Sequence, residues 1–221
     1  MFPNQSMLFA VPANPANMRA MRQRTLQWMG VDEADILWLG AEPTQFDLLH
    51  FITANSIHSH THDFTGLRHI SAQILAQVPH GKVHRRLYIS RDDATRRRLL
   101  NEPDILSQLT KRGFSAVATQ AMSIDEQVAL FAEAEMVVGT TDVMMANILW
   151  APEHCEVVTL SPDHGHEFFY WDMAGIRGQT FSFIFGESAD PSQLGNADFT
   201  ADPALLCKVV DAGLARIARR K

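Results

Sequence analysis

Two cysteines, Cys155 and Cys207, are all that 221 residues contain, and neither stands in a Cys/His spacing that suits zinc. A disulfide-built scaffold is excluded, and both thiols read as reduced and structural. No run approaches the ~18 consecutive apolar residues of a membrane span, and residues 1–6 carry neither the basic nor the apolar part of a secretory signal. The expected location is therefore the cytoplasm, at most peripheral to the inner membrane, with no integral membrane segment. Positive charge is scarce: 19 Lys+Arg against 25 Asp+Glu leave a net charge of -6, the wrong sign for a chain whose main partner is a nucleic-acid backbone. Neither G-x-G-x-x-G nor G-x-x-x-x-G-K-[ST] occurs, which removes the ordinary dinucleotide and P-loop readings. Repeats and low-complexity tracts are absent too.

With 46% hydrophobic and 20% charged residues, the composition is that of a globular protein. The length suits one large α/β domain, or one domain and part of another. Periodicity predicts a strand over Met7–Val11, a helix over Asn17–Met29, and strands at Ile36–Leu39 and Phe46–Thr53. Asn55–Thr65 is polar and reads as a crossing loop, Leu67–Val78 as a helix. A boundary follows at Pro79-His80-Gly81. From Arg86 onward strands and helices alternate: strand Arg86–Ile89, a turn at Ser90-Arg91-Asp92 opening a helix at Asp93, and a helix restarted by Pro103 that ends near Gly113. Next come strand Phe114–Thr119, a capping box at Ser123–Glu126 starting a helix to Ala132, strand Met136–Val138, and a helix from Asp142 through Trp150. Strand Cys155–Leu160, helix Phe168–Ala174, strand Thr180–Phe185 and an amphipathic helix Pro203–Arg219 complete the pattern. The expected architecture is a doubly wound α/β domain over 81–221, preceded by a partial α/β lobe and linker over 1–80. Its ligand is expected beyond the carboxyl ends of the strands.

Lys82, Arg85, Arg86, Arg91, Arg96, Arg97 and Arg98 gather much of the scarce positive charge around one strand-to-helix turn. Arg91, sharing that turn with Ser90, is the best-placed anion ligand, and a nucleotide diphosphate suits it. Arg96 to Arg98 read as a solvated helix face. Gly139 ends a buried strand where backbone comes close to phosphate in nucleotide-binding α/β domains, and Thr140 and Thr141 follow it. Asp142 fits a helix N-cap, and its charge opposes an incoming phosphate. His58, His60 and His62 alternate beside Asp63, so an extended backbone points all three one way. They are either surface residues or a metal pair, with His62 also a candidate general base. Phe168, Phe169, Tyr170 and Trp171 read mainly as core, with one ring free to stack on a base or sugar.

Leu87-Tyr88-Ile89-Ser90-Arg91, then Arg97-Arg98-Leu99-Leu100-Asn101-Glu102, Gly113-Phe114, Glu126-Gln127, Val137-Val138-Gly139 and Asn147 occur in an order and spacing that resemble the C-terminal half of glycosyltransferase family 61. This family includes many bacterial capsular-polysaccharide biosynthesis proteins. The resemblance runs from about Arg86 to Ala174. It implies a GT-B arrangement of two Rossmann-like lobes, a nucleotide-sugar donor, a saccharide acceptor, and inverting transfer to a hydroxyl with no metal or other cofactor. By position it implies that Ser90 and Arg91 hold the donor diphosphate, that Asn101 and Glu102 line the site, and that Gln127 and Asn147 support its loops. Glu102 or His62 would then take the acceptor proton. The chain departs from the family at Thr141-Asp142-Val143-Met144, where members carry His-Gly-Ala-Gly. With an N-terminal lobe of about half the usual size, a catalytically inactive sugar-nucleotide or protein-binding module is the alternative. A homodimer would complete the cleft.

Overall fold

The computed structural model describes residues 7–13, 15, 18–50, 56–57, 61–62, 65–82, 85–91, 95–164 and 168–221, with the backbone alone at 56, 57, 61, 62 and 65. Strands β1 (Phe9–Pro12) and β2 (Ile36–Leu39) pair in parallel around helix α1 (Arg19–Trp28). Short strands β3 (Ser56–Ile57) and β4 (Thr61–His62) pair antiparallel ahead of helix α2 (Thr65–Leu75). The remainder builds a six-stranded sheet from β5 (Arg85–Ile89), β6 (Phe114–Val117), β7 (Ala134–Thr140), β8 (Glu156–Pro162), β9 (Thr180–Ser188) and β10 (Phe199–Thr200). Helices α3 (Glu102–Thr110), α4 (Ile124–Ala132), α5 (Phe169–Arg177) and α6 (Pro203–Arg220) flank it, with 3-10 helices at Val143–Trp150 and Pro191–Asn196.

The strand order is β6-β5-β7-β8-β9-β10, parallel except for β10. This is a wound, Rossmann-like α/β sheet whose order reverses between β5 and β7. Every residue of β7 and β8 is buried, as central parallel strands covered on both faces require. Alternation splits the core in two. Tyr88, Met136, Val138, Val158, Leu160 and Ile184 pack under α3 and α6, while Leu87, Ile89, Val137 and Val157 pack under α4, α5 and Val143–Trp150. Trp28, Ile74 and Val78 join the second cluster, so α1 and α2 rest on the same face of the sheet.

Local signals explain the starts of α4 and α6. The Ser123 side chain accepts from the Glu126 amide and the Glu126 carboxylate accepts from the Ser123 amide, completing the capping box. Asp202 caps α6, whose last turn is tied to the amino ends of the central strands. There Glu156, 2% exposed, accepts from Arg216 at 2.8 Å, and Glu135 accepts from Arg86 and Lys221, each at 2.8 Å. Burial pushes the Glu135 carboxyl up, and the bonds from Lys221 and Arg86 outweigh it, holding the net pKa below the ordinary value. That stabilisation is in place above the ordinary carboxylate pKa and is lost as pH falls through the lowered one. Cys155 is buried and unpaired, its thiol pushed up by burial.

Three expectations are corrected. Residues 46–50 form no strand: Leu48 and Leu49 stay exposed, and without a buried face or a neighbour a strand has nothing to pair with (51–53 lie outside the described residues). The polar segment at 55–65 contains the β3–β4 pairing rather than a plain loop. Among the described residues no helix follows Ser90-Arg91 (92–94 lie outside them): residues 95–97 are bent, Arg97 has φ +55°, and the chain then runs extended so that Leu99 bridges Phe199. Besides the β3–β4 pairing, three elements went unanticipated: β10 and the 3-10 helices at Glu33–Asp35 and Pro191–Asn196. The segment after Asp142 is 3-10 rather than α-helical.

Candidate functional site

The crevice beyond the carboxyl ends of β5 and β7 holds a cavity of about 400 Å³, lined by Arg91, Arg97, Arg98, Glu102 and Thr140 with Leu99 and Leu100. It opens where the strand order reverses, the place where wound α/β sheets bind ligands. Its cationic wall is an irregular segment rather than a helix face. Leu100 N donates to Phe199 O (2.8 Å) and Phe199 N to Arg98 O (3.0 Å), so residues 98–100 are stitched to β10. Asn101 completes the seam: its amide donates to Ala201 O (2.8 Å) and accepts from Ala201 N (3.1 Å). The Asn101 side chain is thereby committed to backbone and positions the wall.

Arg91 reaches across the mouth of the crevice. Its guanidinium meets the Asp142 carboxylate at 2.9 Å and donates to Arg96 O at 3.2 Å, with both charged side chains largely buried. Asp142 also accepts from Met144 N at 3.1 Å, the N-cap role expected of it. Arg98 is held by Asp198 (2.5 Å), whose carboxyl the Arg98 hydrogen bonds keep below the usual range. By contrast, Arg97 Nε and Thr140 Oγ1, both buried, have no hydrogen-bond partner among the described residues. Buried polar atoms without partners are costly, and both residues line the cavity.

Glu102 opens α3 on the same cavity. Its Oε1 accepts from the fully buried Tyr88 hydroxyl (2.8 Å) and from Ser90 Oγ (3.3 Å). Tyr88 escaped sequence reasoning, although it stands two residues before Ser90 and alternation puts both on one side of the strand. Gly139 and Thr141 do other work. A Cβ on Gly139 would lie 2.8 Å from Met145 Sδ and 3.1 Å from Ile89 Cβ, so its bareness admits the 3-10 helix, and Thr141 bonds Leu160 O through its amide. Gln127 and Asn147 form a buried network away from the cavity lining: Gln127 bonds Thr119 O and Met122 O, Asn147 donates to Gln127 Oε1 (2.9 Å), and Trp150 Nε1 donates to Asn147. This ties α4 to the segment after Asp142.

His62 falls in β4 with its side chain outside the described part, as are His58, His60 and Asp63. Among the described residues no group of three His, Cys, Asp or Glu is placed to hold a metal ion, and no helix is long and apolar enough to cross a membrane. Of the aromatic cluster, Tyr170 is buried while Phe168 and Trp171 are more than half exposed.

Asp142→Ala is expected to lower stability by ~0.5–2 kcal/mol in urea unfolding through loss of the cap, and Asp142→Asn, which keeps an acceptor, by clearly less. Equal losses would show that the Arg91 pair, not the cap, carries the contribution.

The sheet order and the crevice at its reversal define a wound α/β protein of the kind that takes its ligand at the strands' carboxyl ends. The glycosyltransferase 61 family model matches residues 5–158, and the chain belongs to that family. The match begins well before the Arg86 at which the resemblance was legible and stops within β8, leaving α5, β9 and α6 outside it. No curated protein matches.

Proposed function

We propose that the protein transfers a sugar from a nucleotide-sugar donor to a saccharide hydroxyl, with inversion, in cell-surface (capsular) polysaccharide synthesis. The observation that carries this reading is the pair of orphaned donors, Arg97 Nε and Thr140 Oγ1, in a cationic cavity at the sheet's reversal point. A diphosphate supplies the acceptor oxygens they lack. In this reading Ser90 and Arg91 sit at the diphosphate, and Glu102, its Oε1 held by Tyr88 and Ser90, presents its other oxygen as general base. The acceptor oxygen bonds to the anomeric carbon, the bond to the donor phosphate breaks, and the acceptor proton passes to Glu102. The negative charge gathers on the departing diphosphate beside Arg91 and Arg97. Division at residue 80 into the remnant of one GT-B lobe and a complete second lobe, action at the cytoplasmic side of the membrane, and dimerisation belong to the same proposal.

The Arg91–Asp142 pair favours a second reading, a binding module without turnover, because a carboxylate occupies the cation a leaving group needs. A thermal-shift screen against UDP-, GDP-, CMP- and dTDP-linked sugars tests donor binding. At a hundredfold excess over Kd the expected stabilisation is about 2.7 kcal/mol, or roughly 5–10 °C for a chain of this size. A shift with one nucleotide class supports a donor site. No shift with any of the four overturns it.

A further inference from the structure

A second cavity, of about 380 Å³, lies between α5 and the start of β9, lined by Trp171, Asp172, Gly175, Ile176, Gln179 and Phe181. None of these residues falls within the span matched by the family model. Trp171 is 55% exposed, an unusual place for an indole that the core does not need. Gln179 is only 8% exposed, and its Nε2 is spent on Ile148 O (2.7 Å) and Ala151 O (3.2 Å) while its Oε1 has no hydrogen-bond partner among the described residues. Gly175 lies inside a helix, where glycine costs roughly 1 kcal/mol relative to alanine, yet a Cβ there would meet nothing within 4 Å. Packing does not explain that glycine. An open cavity does.

The cavity continues into a row of rings. Phe181, Phe183 and Phe185 alternate along β9 on one face, with centroids 4.9 and 5.4 Å apart and the last two stacked at 11°. Phe168 sets its edge against Phe183 at 6.2 Å. At ~3.3 Å per strand residue the row runs about 13 Å from the cavity toward the carboxyl edge of the sheet, the edge on which the donor crevice also opens. The polar groups lining the cavity are the Trp171 indole N–H, an amide and a carboxylate, and no cation lines it. Its ligand must bring hydrogen-bond donors and an apolar face that lies flat on aromatic rings, and a neutral sugar ring has both.

We propose that this cavity is a saccharide-binding subsite in which a pyranose stacks on Trp171 with its hydroxyls on Gln179 and Asp172. The phenylalanine row carries the neighbouring sugars of the same chain toward the carboxyl edge. The subsite goes beyond donor binding and does not depend on it.

Native electrophoresis through gels holding dextran, xylan or galactomannan, with titration calorimetry on the matching tetrasaccharides, tests the subsite. The wild type is expected to be retarded by at least one polysaccharide. Trp171→Ala should weaken binding at least tenfold, and Gly175→Leu, whose Cβ enters the cavity with no atom of the fold within 4 Å, should do the same. Arg91→Ala should leave retardation unchanged, which separates this subsite from the donor crevice. Absence of retardation with all three polysaccharides overturns the proposal, as does full binding by both cavity variants. Binding of choline in place of any saccharide would also overturn it, since the cavity would then be a cation site.

Discussion

Gly186→Val is expected to cost about 3–5 kcal/mol, enough to leave little folded protein at 37 °C. A Cβ on Gly186 would lie 2.2 Å from Thr200 O and 2.9 Å from Thr200 C, with Phe199 Cδ2 at 2.7 Å. The first two atoms are backbone, so no side-chain rotation relieves the clash. The backbone cannot retreat either: Phe199 and Thr200 pair with Ser188 and Glu187, Leu99 bridges Phe199, and Asn101 grips Ala201 from the other side. Even Gly186→Ala should shift the urea midpoint strongly. A loss below ~1 kcal/mol would show that β10 yields more readily than its hydrogen bonds indicate.

Arg91→Ala is expected to weaken nucleotide-sugar binding by about 100-fold, equivalent to ~2.7 kcal/mol, within the range for hydrogen bonds to a charged group. The loss has two parts. One is the guanidinium itself, and the other is the Asp142 carboxylate, which in the variant faces the incoming phosphate with its charge unopposed. Asp142→Asn should act in the opposite direction and tighten binding, because Arg91 then has no anion to surrender. Calorimetry on both variants with whichever nucleotide class stabilises the wild type reads out the two signs. Unchanged affinity in Arg91→Ala would remove this residue from the binding surface.

Both predictions depend on contacts that differ in how far they can be read from the chain. The buried runs at Met136–Val138 and Val157–Leu160, the capping box at Ser123, and Asp142 as a cap are local patterns, and each is where periodicity and capping rules put it. The cavity wall is different. Arg98 meets Asp198 and Asn101 meets Ala201, partners a hundred residues apart, and those contacts override the helical look of Arg96-Arg97-Arg98-Leu99. The pairing of Arg91 with Asp142 joins two loops that only the parallel neighbouring of β5 and β7 brings together. Positive charge near Ser90 and a carboxylate at Asp142 opposing phosphate were each legible; their pairing was not. Trp171 and Gly175 gave no sequence signal beyond an aromatic cluster, because an open cavity is a property of what stands opposite.

The seam between residues 98–101 and β10 also sets an order of events during synthesis. Chains fold as they emerge, amino end first, and β5 and β7 leave the ribosome long before Phe199 and Ala201. Until those residues are free, the arginine wall has no strand to lie against and no amide to hold Asn101. The nascent protein therefore passes through a stage at which its arginine wall is still unbuilt, and the crevice takes shape only after Phe199 and Ala201 have emerged.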